Sequence, residues 1–222
     1  MTTMLTLLAL VLMVLVSSTT EAGTPPQPRM MKRTRKRCGR TRVGTLNCRT
    51  LLADETLTEL DLTLTENNIM LCALQEVRRN GCLSARTMNY TIYWFGECSG
   101  HGGVGFAVHN KIVHLVKEVR GIPDSSGRLM TMDIMLHDTD HPVTIICAYA
   151  PPNSKSTQVR EKFYSRLRDV IAPKTWLMGD LNARVGRQVA DFGNQPSETV
   201  GLRSLKSDIV PNENGALLLD IA

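Results

Sequence analysis

The sequence predicts an α/β (α+β) fold in which two β-sheets pack face to face and helices flank them. Short apolar runs that are typical of strands outnumber the helical patterns, and few helices separate them. A strict alternation of strand and helix would instead have indicated a single parallel sheet. The chain has 222 residues, of which 42% are hydrophobic and 21% charged, so one domain with a substantial core is expected.

The first half of this domain is predicted to contain one helix among several strands. Residues 42–48 have the pattern of a short strand, and residues 50–67 have leucines at helical spacing. The run IMLCAL at 69–74 is continuously apolar, which predicts a strand buried on both faces. Three further predicted strands follow, at residues 91–95, 103–109 and 111–119.

The second half is predicted to continue with strands and one clear helix. Residues 128–137 alternate in the manner of a strand with one apolar face, formed by Met130, Met132, Ile134 and Leu136. The helix is predicted over residues 157–172, with a single apolar stripe made of Val159, Phe163, Leu167 and Val170/Ile171. The remaining predicted elements are a buried strand at 142–149, a strand at 174–178 and the start of a helix at 215–222.

Residues 1–22 resemble a secretory signal peptide. Residues 4–16 are apolar apart from Thr6, and this run is too short for a membrane-spanning helix. Small and polar residues follow it, with a suitable cleavage point after Ala22. We therefore expect no stable membrane span. The alternative interpretation is an N-terminal extension that does not belong to the working protein.

Residues 23–40 are predicted to form a disordered basic linker. Eight basic side chains and no acidic one fall within residues 29–42, so without them the net charge of +5 becomes −3 for the rest of the chain. The run KRTRKR at 32–37 is typical of a nuclear address or a nucleic-acid-binding patch. A solvated charge run or a processing site is the alternative, and export and nuclear import both stay open.

The six cysteines include no CxxC pair, which argues against a zinc site. Cys48, Cys72 and Cys147 lie in strand-like runs and are expected to be small buried hydrophobic residues. If the protein is exported, a disulfide between Cys82 and Cys98 is conceivable. In that compartment the sequon at residues 89–91 would also accept a glycan.

Polar side chains gather where four of the predicted strands end. The first strand ends in Asn47, and the IMLCAL strand ends in Gln75 and Glu76. The strand at 142–149 ends in Tyr149, and the strand at 174–178 is followed by Asp180 and Asn182. Loops at strand ends are held by a rigid scaffold and stay open to a ligand. This set of residues therefore predicts an active site at the edge of a sheet.

Six motifs, in order along residues 41–222, resemble the endonuclease/exonuclease/phosphatase superfamily. They are TLNCRTL at 45–51, LQEVRR at 74–79, GGVGFAV at 102–108, CAYAPP at 147–152, GDLNARVG at 179–186 and NENGALLL at 212–219. Within that superfamily, the closest similarity is to the apurinic-type endonuclease domains of non-LTR retrotransposons. The resemblance implies a DNase I-like sandwich and Mg²⁺-dependent hydrolysis of phosphodiesters in nucleic acid, with DNA as the favoured substrate.

The resemblance also implies a role for each residue of the set. Glu76 matches the carboxylate that binds Mg²⁺, for which Mn²⁺ is an alternative, and Asn47 matches the amide that orients it. Asp180 matches the acid that orients or deprotonates the attacking water. Asn182 and Tyr149 match donors to the phosphate. Arg78 and Arg79 either contact a nucleic-acid backbone or belong to a solvated loop.

The sequence departs from the superfamily in its last part. Members have a further Asp and a C-terminal Asp-His pair, whereas the last histidine here is His141. The domain is therefore expected to be incomplete and to miss its final strands, with activity reduced a hundredfold or more. Two alternatives stay open: a secreted DNase or phosphodiesterase of the same fold, and an inactive remnant that only binds nucleic acid through residues 29–42.

Overall fold

The computed structural model describes residues 41–97, 102–135, 140–173, 175–185, 210 and 212–221. The segments predicted at 1–22 and 23–40 lie outside these residues. The elements are, in chain order, β1 Arg42–Asn47, α1 Asp54–Glu66, β2 Ile69–Gln75, β3 Gly81–Arg86, β4 Tyr90–Gly96, β5 Val104–His109, β6 Val116–Gly121, β7 Leu129–Ile134, β8 Val143–Tyr149, α2 Thr157–Val170, β9 Trp176–Asp180 and α3 Glu213–Leu219. None of the helices described is long and apolar enough to span a bilayer.

The strands form two mixed sheets that pack on each other. The first sheet has the order β1-β2-β5-β4-β3, and the second has the order β6-β7-β8-β9. The pairs β1–β2 and β8–β9 are parallel, and the other pairs are antiparallel. The predicted two-sheet sandwich with flanking helices is therefore confirmed, and each sheet contributes one parallel pair whose strands end at the same edge.

The core has three layers because strand side chains alternate between the two faces of each sheet. On β2, Leu71 and Ala73 face the second sheet, whereas Cys72 and Leu74 pack with the buried leucines of α1. β7 follows the same rule, since its predicted apolar face packs between the sheets. Met130, Met132 and Ile134 of that face are buried between the two sheets. Leu136, its fourth predicted member, lies outside the described residues. Side chains of α2 and α3 cover the outer face of the second sheet.

One predicted strand differs from the structure, and one strand of the structure was not predicted. Residues 111–119 do not form one strand, because a 3₁₀ turn at Val113–Leu115 precedes β6. The strand β3 was not predicted from the sequence. Its residues GCLSAR are almost all exposed and have no apolar alternation, so only the pairing with β4 fixes them as a strand.

The buried face of α2 also differs from its predicted stripe. Phe163 and Leu167 are buried as expected, but Val159 is exposed. Arg160 and Tyr164 are buried in its place. The buried face is therefore turned by one residue from the apolar pattern, because polar groups of Arg160 and Tyr164 find partners on neighbouring loops.

The cysteines agree with their predicted role as core residues. Cys48, Cys72 and Cys147 are buried free thiols, and burial raises the pKa of each above its ordinary value. Cys82 is a free, exposed cysteine, and Cys98, its predicted partner, lies outside the described residues. Because Cys82 is free, the conceivable disulfide between them is not formed in this structure.

Candidate active site

Glu76 is the centre of a hydrogen-bonded group at the ends of β1, β2 and β8. Asn47 Nδ2 donates to Glu76 Oε1 over 2.8 Å, and the Tyr149 hydroxyl donates to the same oxygen over 3.0 Å. Asn47 is itself oriented, because its Oδ1 accepts from the backbone N–H of Arg49. Three of the residues predicted for the site therefore lie in direct contact.

Strand alternation explains why Asn47 and Tyr149 reach this point. On β1, Val43 packs in the layer between the sheets, and Asn47 continues that alternation. On β8, Cys147 lies in the same layer, and Tyr149 follows it two residues later. Both side chains therefore leave the ends of their strands on the inner faces of the sheets.

Glu76 does not follow the alternation of β2, on which the inner face is occupied by odd-numbered residues. The backbone changes direction instead, since Glu76 has a φ of +55° in the left-handed region. The next two amides are held by the two glycines that precede β5: Val77 donates to Gly103 O and Arg78 donates to Gly102 O. These bonds fix the turn that brings the carboxylate of Glu76 to Asn47 and Tyr149.

The carboxylate of Glu76 is stabilised in its charged form. Burial raises its pKa, but hydrogen bonds from Asn47, Tyr149 and Arg78, with the positive charge of Arg78, outweigh burial and lower the pKa below its usual range. Arg78 pairs with Oε2 over 3.1 Å. Glu76 is therefore an ionised carboxylate at neutral pH.

Tyr149 remains a proton donor because its surroundings raise the pKa of its phenol. Burial raises the pKa of its phenol, and the hydrogen bond to Glu76 and the nearby negative charges of Glu76 and Asp180 raise it further. The guanidinium of Arg128 lies 4.8 Å from the ring centre, and it donates to the backbone carbonyl of Tyr149. Arg128 was not singled out from the sequence, and it holds the ring in place.

Asp180 and Asn182 lie beside this group. Tyr149 and Asp180 are partners in the parallel pairing of β8 with β9, which places the two residues side by side on neighbouring strands. The backbone N–H of Asn182 donates to Asp180 Oδ1 over 2.9 Å. Asn182 Nδ2 donates to Ala150 O over 2.7 Å. All five residues predicted for the site are thus gathered at one edge of the sandwich.

Two asparagines of the NENG motif support the loop that contains Asn182. The carbonyl of Asn182 accepts from Asn212 Nδ2 over 3.0 Å and from Asn214 Nδ2 over 3.3 Å. Asn214 is fully buried and also donates to Pro151 O. The sequence showed this motif only as part of a resemblance. The structure shows that its side chains brace the loop.

The chemistry of the site suits one hard divalent cation. In the described part of the chain, no three His, Cys, Asp or Glu side chains group closely enough to form a metal cage. Mg²⁺ needs no such cage, since it is usually held by one or two carboxylates together with waters and substrate phosphate oxygens. The ionised, 20% exposed side chain of Glu76 fits that mode of binding.

Comparisons with known proteins give similarities of fold. No family model matches the sequence, and no curated protein matches it. Among solved structures, the endonuclease domain of TRAS1, a telomere-specific non-LTR retrotransposon, is 14% identical with a TM-score of 0.48, over 82% of this chain and 70% of that one. The AP endonuclease LMAP from Leishmania major is 15% identical with a TM-score of 0.45, over 60% of this chain and 51% of that one.

This chain thus spans about half the length of the Leishmania protein. Both neighbours are endonucleases by name, the class that the sequence motifs resemble. Similarities of this size concern the fold. The function of the present site is therefore argued from its own side chains.

Proposed function

We propose that this protein is a Mg²⁺-dependent phosphodiester hydrolase of the endonuclease type that acts on nucleic acid. The main support is the convergence of Asn47 and Tyr149 on Glu76, next to the Asp180–Asn182 pair. An ionised carboxylate, an acid beside it and several neutral donors are the groups that hydrolysis of a phosphodiester needs. DNA is the favoured substrate, on the resemblance of the motifs.

Glu76 would hold the Mg²⁺ ion, with Mn²⁺ as a substitute, and Asn47 would keep the carboxylate in place. When bound, the ion would neutralise negative charge on the phosphate. The ion pair between Arg78 and Glu76 supports the placement of a cation beside this carboxylate.

Asp180 is the proposed base. The N–H of Asn182 orients the carboxylate by Oδ1, and we assign Oδ2 to the attacking water. As the water oxygen bonds to phosphorus, its proton passes to Asp180, the P–O ester bond breaks, and solvent protonates the leaving oxygen. The second proton of Asn182 Nδ2 donates to a phosphate oxygen, where negative charge increases during the reaction. The Tyr149 hydroxyl has one proton, which would turn from Glu76 Oε1 to a phosphate oxygen when the substrate binds.

Nicking of supercoiled plasmid by the full chain in Mg²⁺ tests this proposal. We expect nicking that EDTA abolishes and that Asp180→Asn reduces by about a hundredfold or more. Asp140→Asn, a change of the same charge at an exposed position, is the matched control and should nick like the wild type. Equal nicking by Asp180→Asn and the wild type, or a wild type without Mg²⁺-dependent nicking, would contradict the proposal.

A further inference from the structure

Arg78 already pairs with the carboxylate that the proposed function assigns to the ion. Its NH2 group lies 3.1 Å from Glu76 Oε2, while Asn47 and Tyr149 occupy Oε1. An exposed ion pair of this kind usually contributes little to stability. Here the side chain of Arg78 is 40% exposed and its partner only 20%, so the pair lies at the mouth of the site.

The backbone around Arg78 is built to aim it back at Glu76. Both residues have left-handed backbones, with φ values of +55° for Glu76 and +58° for Arg78, on either side of the fully buried Val77. Such conformations are unfavourable for residues other than glycine and persist only where the surroundings impose them. The backbone carbonyls of Gly102 and Gly103 impose them here, because they accept from the amides of residues 78 and 77.

The guanidinium of Arg78 is only partly satisfied in this position. Its Nε is buried and, among the described residues, has no hydrogen-bond partner. The neighbouring Arg79 is different. It donates to Leu51 O, Leu52 O and Asp54, and it stacks on Trp94. Arg79 thus stabilises the fold, whereas the one side-chain hydrogen bond described for Arg78 is the one to Glu76.

We propose that Arg78 is a resident cation of the site, which holds Glu76 Oε2 and must be displaced by the divalent ion. This inference rests on the proposed function, since it takes Glu76 as the ligand of the ion. A guanidinium and a divalent cation repel each other, and both need oxygens of the same carboxylate. Arg78 therefore sets the affinity of the site by weakening it, and it acts as a positioning residue.

Binding of Mn²⁺ alone to the full chain, followed by electron paramagnetic resonance at fixed pH, tests the inference. Arg78→Gln should bind Mn²⁺ about tenfold or more tightly than the wild type, since it removes the competing charge. Arg78→Lys keeps the charge and should stay near the wild type. The matched control is Arg120→Gln, which removes the same charge from an ion pair with Asp133 on the second sheet.

Arg78→Gly controls for a folding defect in Arg78→Gln, because glycine adopts the left-handed backbone without strain. This variant should also bind Mn²⁺ more tightly than the wild type. If the wild type binds Mn²⁺, Glu76→Gln does not, and neither Arg78→Gln nor Arg78→Gly binds it more tightly, the resident-cation role is wrong and the metal site stands. If all of these proteins, the Arg78 variants included, bind no Mn²⁺, both the inference and the proposed metal site are wrong.

Discussion

Glu76 is the residue on which the site is organised, because both of its oxygens have donors and those donors come from three separate segments. The same contacts keep it ionised, although it is partly buried. Besides its proposed role in binding an ion, Glu76 therefore contributes to the free energy of unfolding by an amount that depends on pH.

The pKa of Glu76 is lowered on folding, so the stability it contributes is present above its ordinary value of 4.5 and is lost as the pH falls below that value. Glu76→Gln should therefore lower the free energy of unfolding at pH 7, where Arg78 would lose its partner. The difference from the wild type should shrink below about pH 4. Urea unfolding at both pH values measures it, and a difference that is unchanged at low pH would contradict the assigned charge.

Tyr149 offers a second test at this scale. Tyr149→Phe removes the hydroxyl proton that is donated to Glu76 in the free protein and, by the proposal, to the phosphate when substrate is bound, so we expect nicking to fall by about tenfold to a hundredfold. The pKa of the phenol is raised above its ordinary value of 10.0, so the hydroxyl should still donate at pH 9. A rate that falls between pH 8 and 9 in the wild type but not in Tyr149→Phe would show that this assignment is wrong.

Among the elements, the parallel pair β8–β9 has the tightest constraint. Gly179 has a φ of +135°, and a Cβ atom there would lie 1.9 Å from Ala148 O on the neighbouring strand. This glycine lets β9 approach β8 closely enough to place Asp180 beside Tyr149.

Gly179→Ala should therefore lower the free energy of unfolding by roughly 3 kcal/mol or more, since both the backbone and the close contact oppose it. Gly44→Ala is the matched control. It lies on β1, and the atoms nearest to a Cβ there, on Ile69 and Cys72, would be 3.7 Å or more away. We expect the control to change stability by less than about 1 kcal/mol. Equal losses in thermal or urea unfolding would refute the role of Gly179.

The helix α3 is coupled to the site by Asn214, which is fully buried and donates to Pro151 O and Asn182 O. Asn214→Ala leaves these buried carbonyls with fewer donors, which should cost about 1–3 kcal/mol in the free energy of unfolding. Asn153→Ala, at an exposed position, is the control. A loss for Asn214→Ala no larger than that of the control would show that the helix does not brace the loop.

Local patterns were enough to predict most elements of this fold. Alternation identified β7 and its buried methionines, and the continuous apolar run identified β2. Non-local effects set the rest: β3 exists because β4 pairs with it, and α2 is turned so that Arg160 reaches its partners. Arg78 could not be assigned from the sequence, because the direction of its side chain depends on the left-handed backbones of Glu76 and Arg78, which the carbonyls of Gly102 and Gly103 hold.

At the scale of the whole molecule, the candidate site belongs to the junction of two sheets. The pair β1–β2 brings Asn47 and Glu76, and the pair β8–β9 brings Tyr149 and Asp180. The hydrogen bond from Tyr149 to Glu76 crosses from one sheet to the other. The site is therefore complete only when the sheets pack through their shared core, so loss of that packing would remove the site and the fold together.

The basic segment 29–42 is predicted to add affinity for nucleic acid. Deletion of residues 29–40 removes seven basic side chains. The slope of log affinity against log salt should then become less steep by up to about 6, because each phosphate contact contributes about 0.9. Fluorescence anisotropy with a labelled DNA duplex measures the slope. An unchanged slope would show that this segment makes no phosphate contacts.

The most direct test of the site is the position of Mn²⁺ in crystals of the full chain, located by anomalous diffraction. The geometry described here predicts one peak about 2.1 Å from a carboxylate oxygen of Glu76, on the side of the site that Tyr149 and Asp180 share. In the corresponding anomalous map from crystals of Glu76→Gln, this peak should be absent. A Mn²⁺ peak bound elsewhere, or one that persists in Glu76→Gln, would contradict the central claim that these strand ends form a single metal-dependent site.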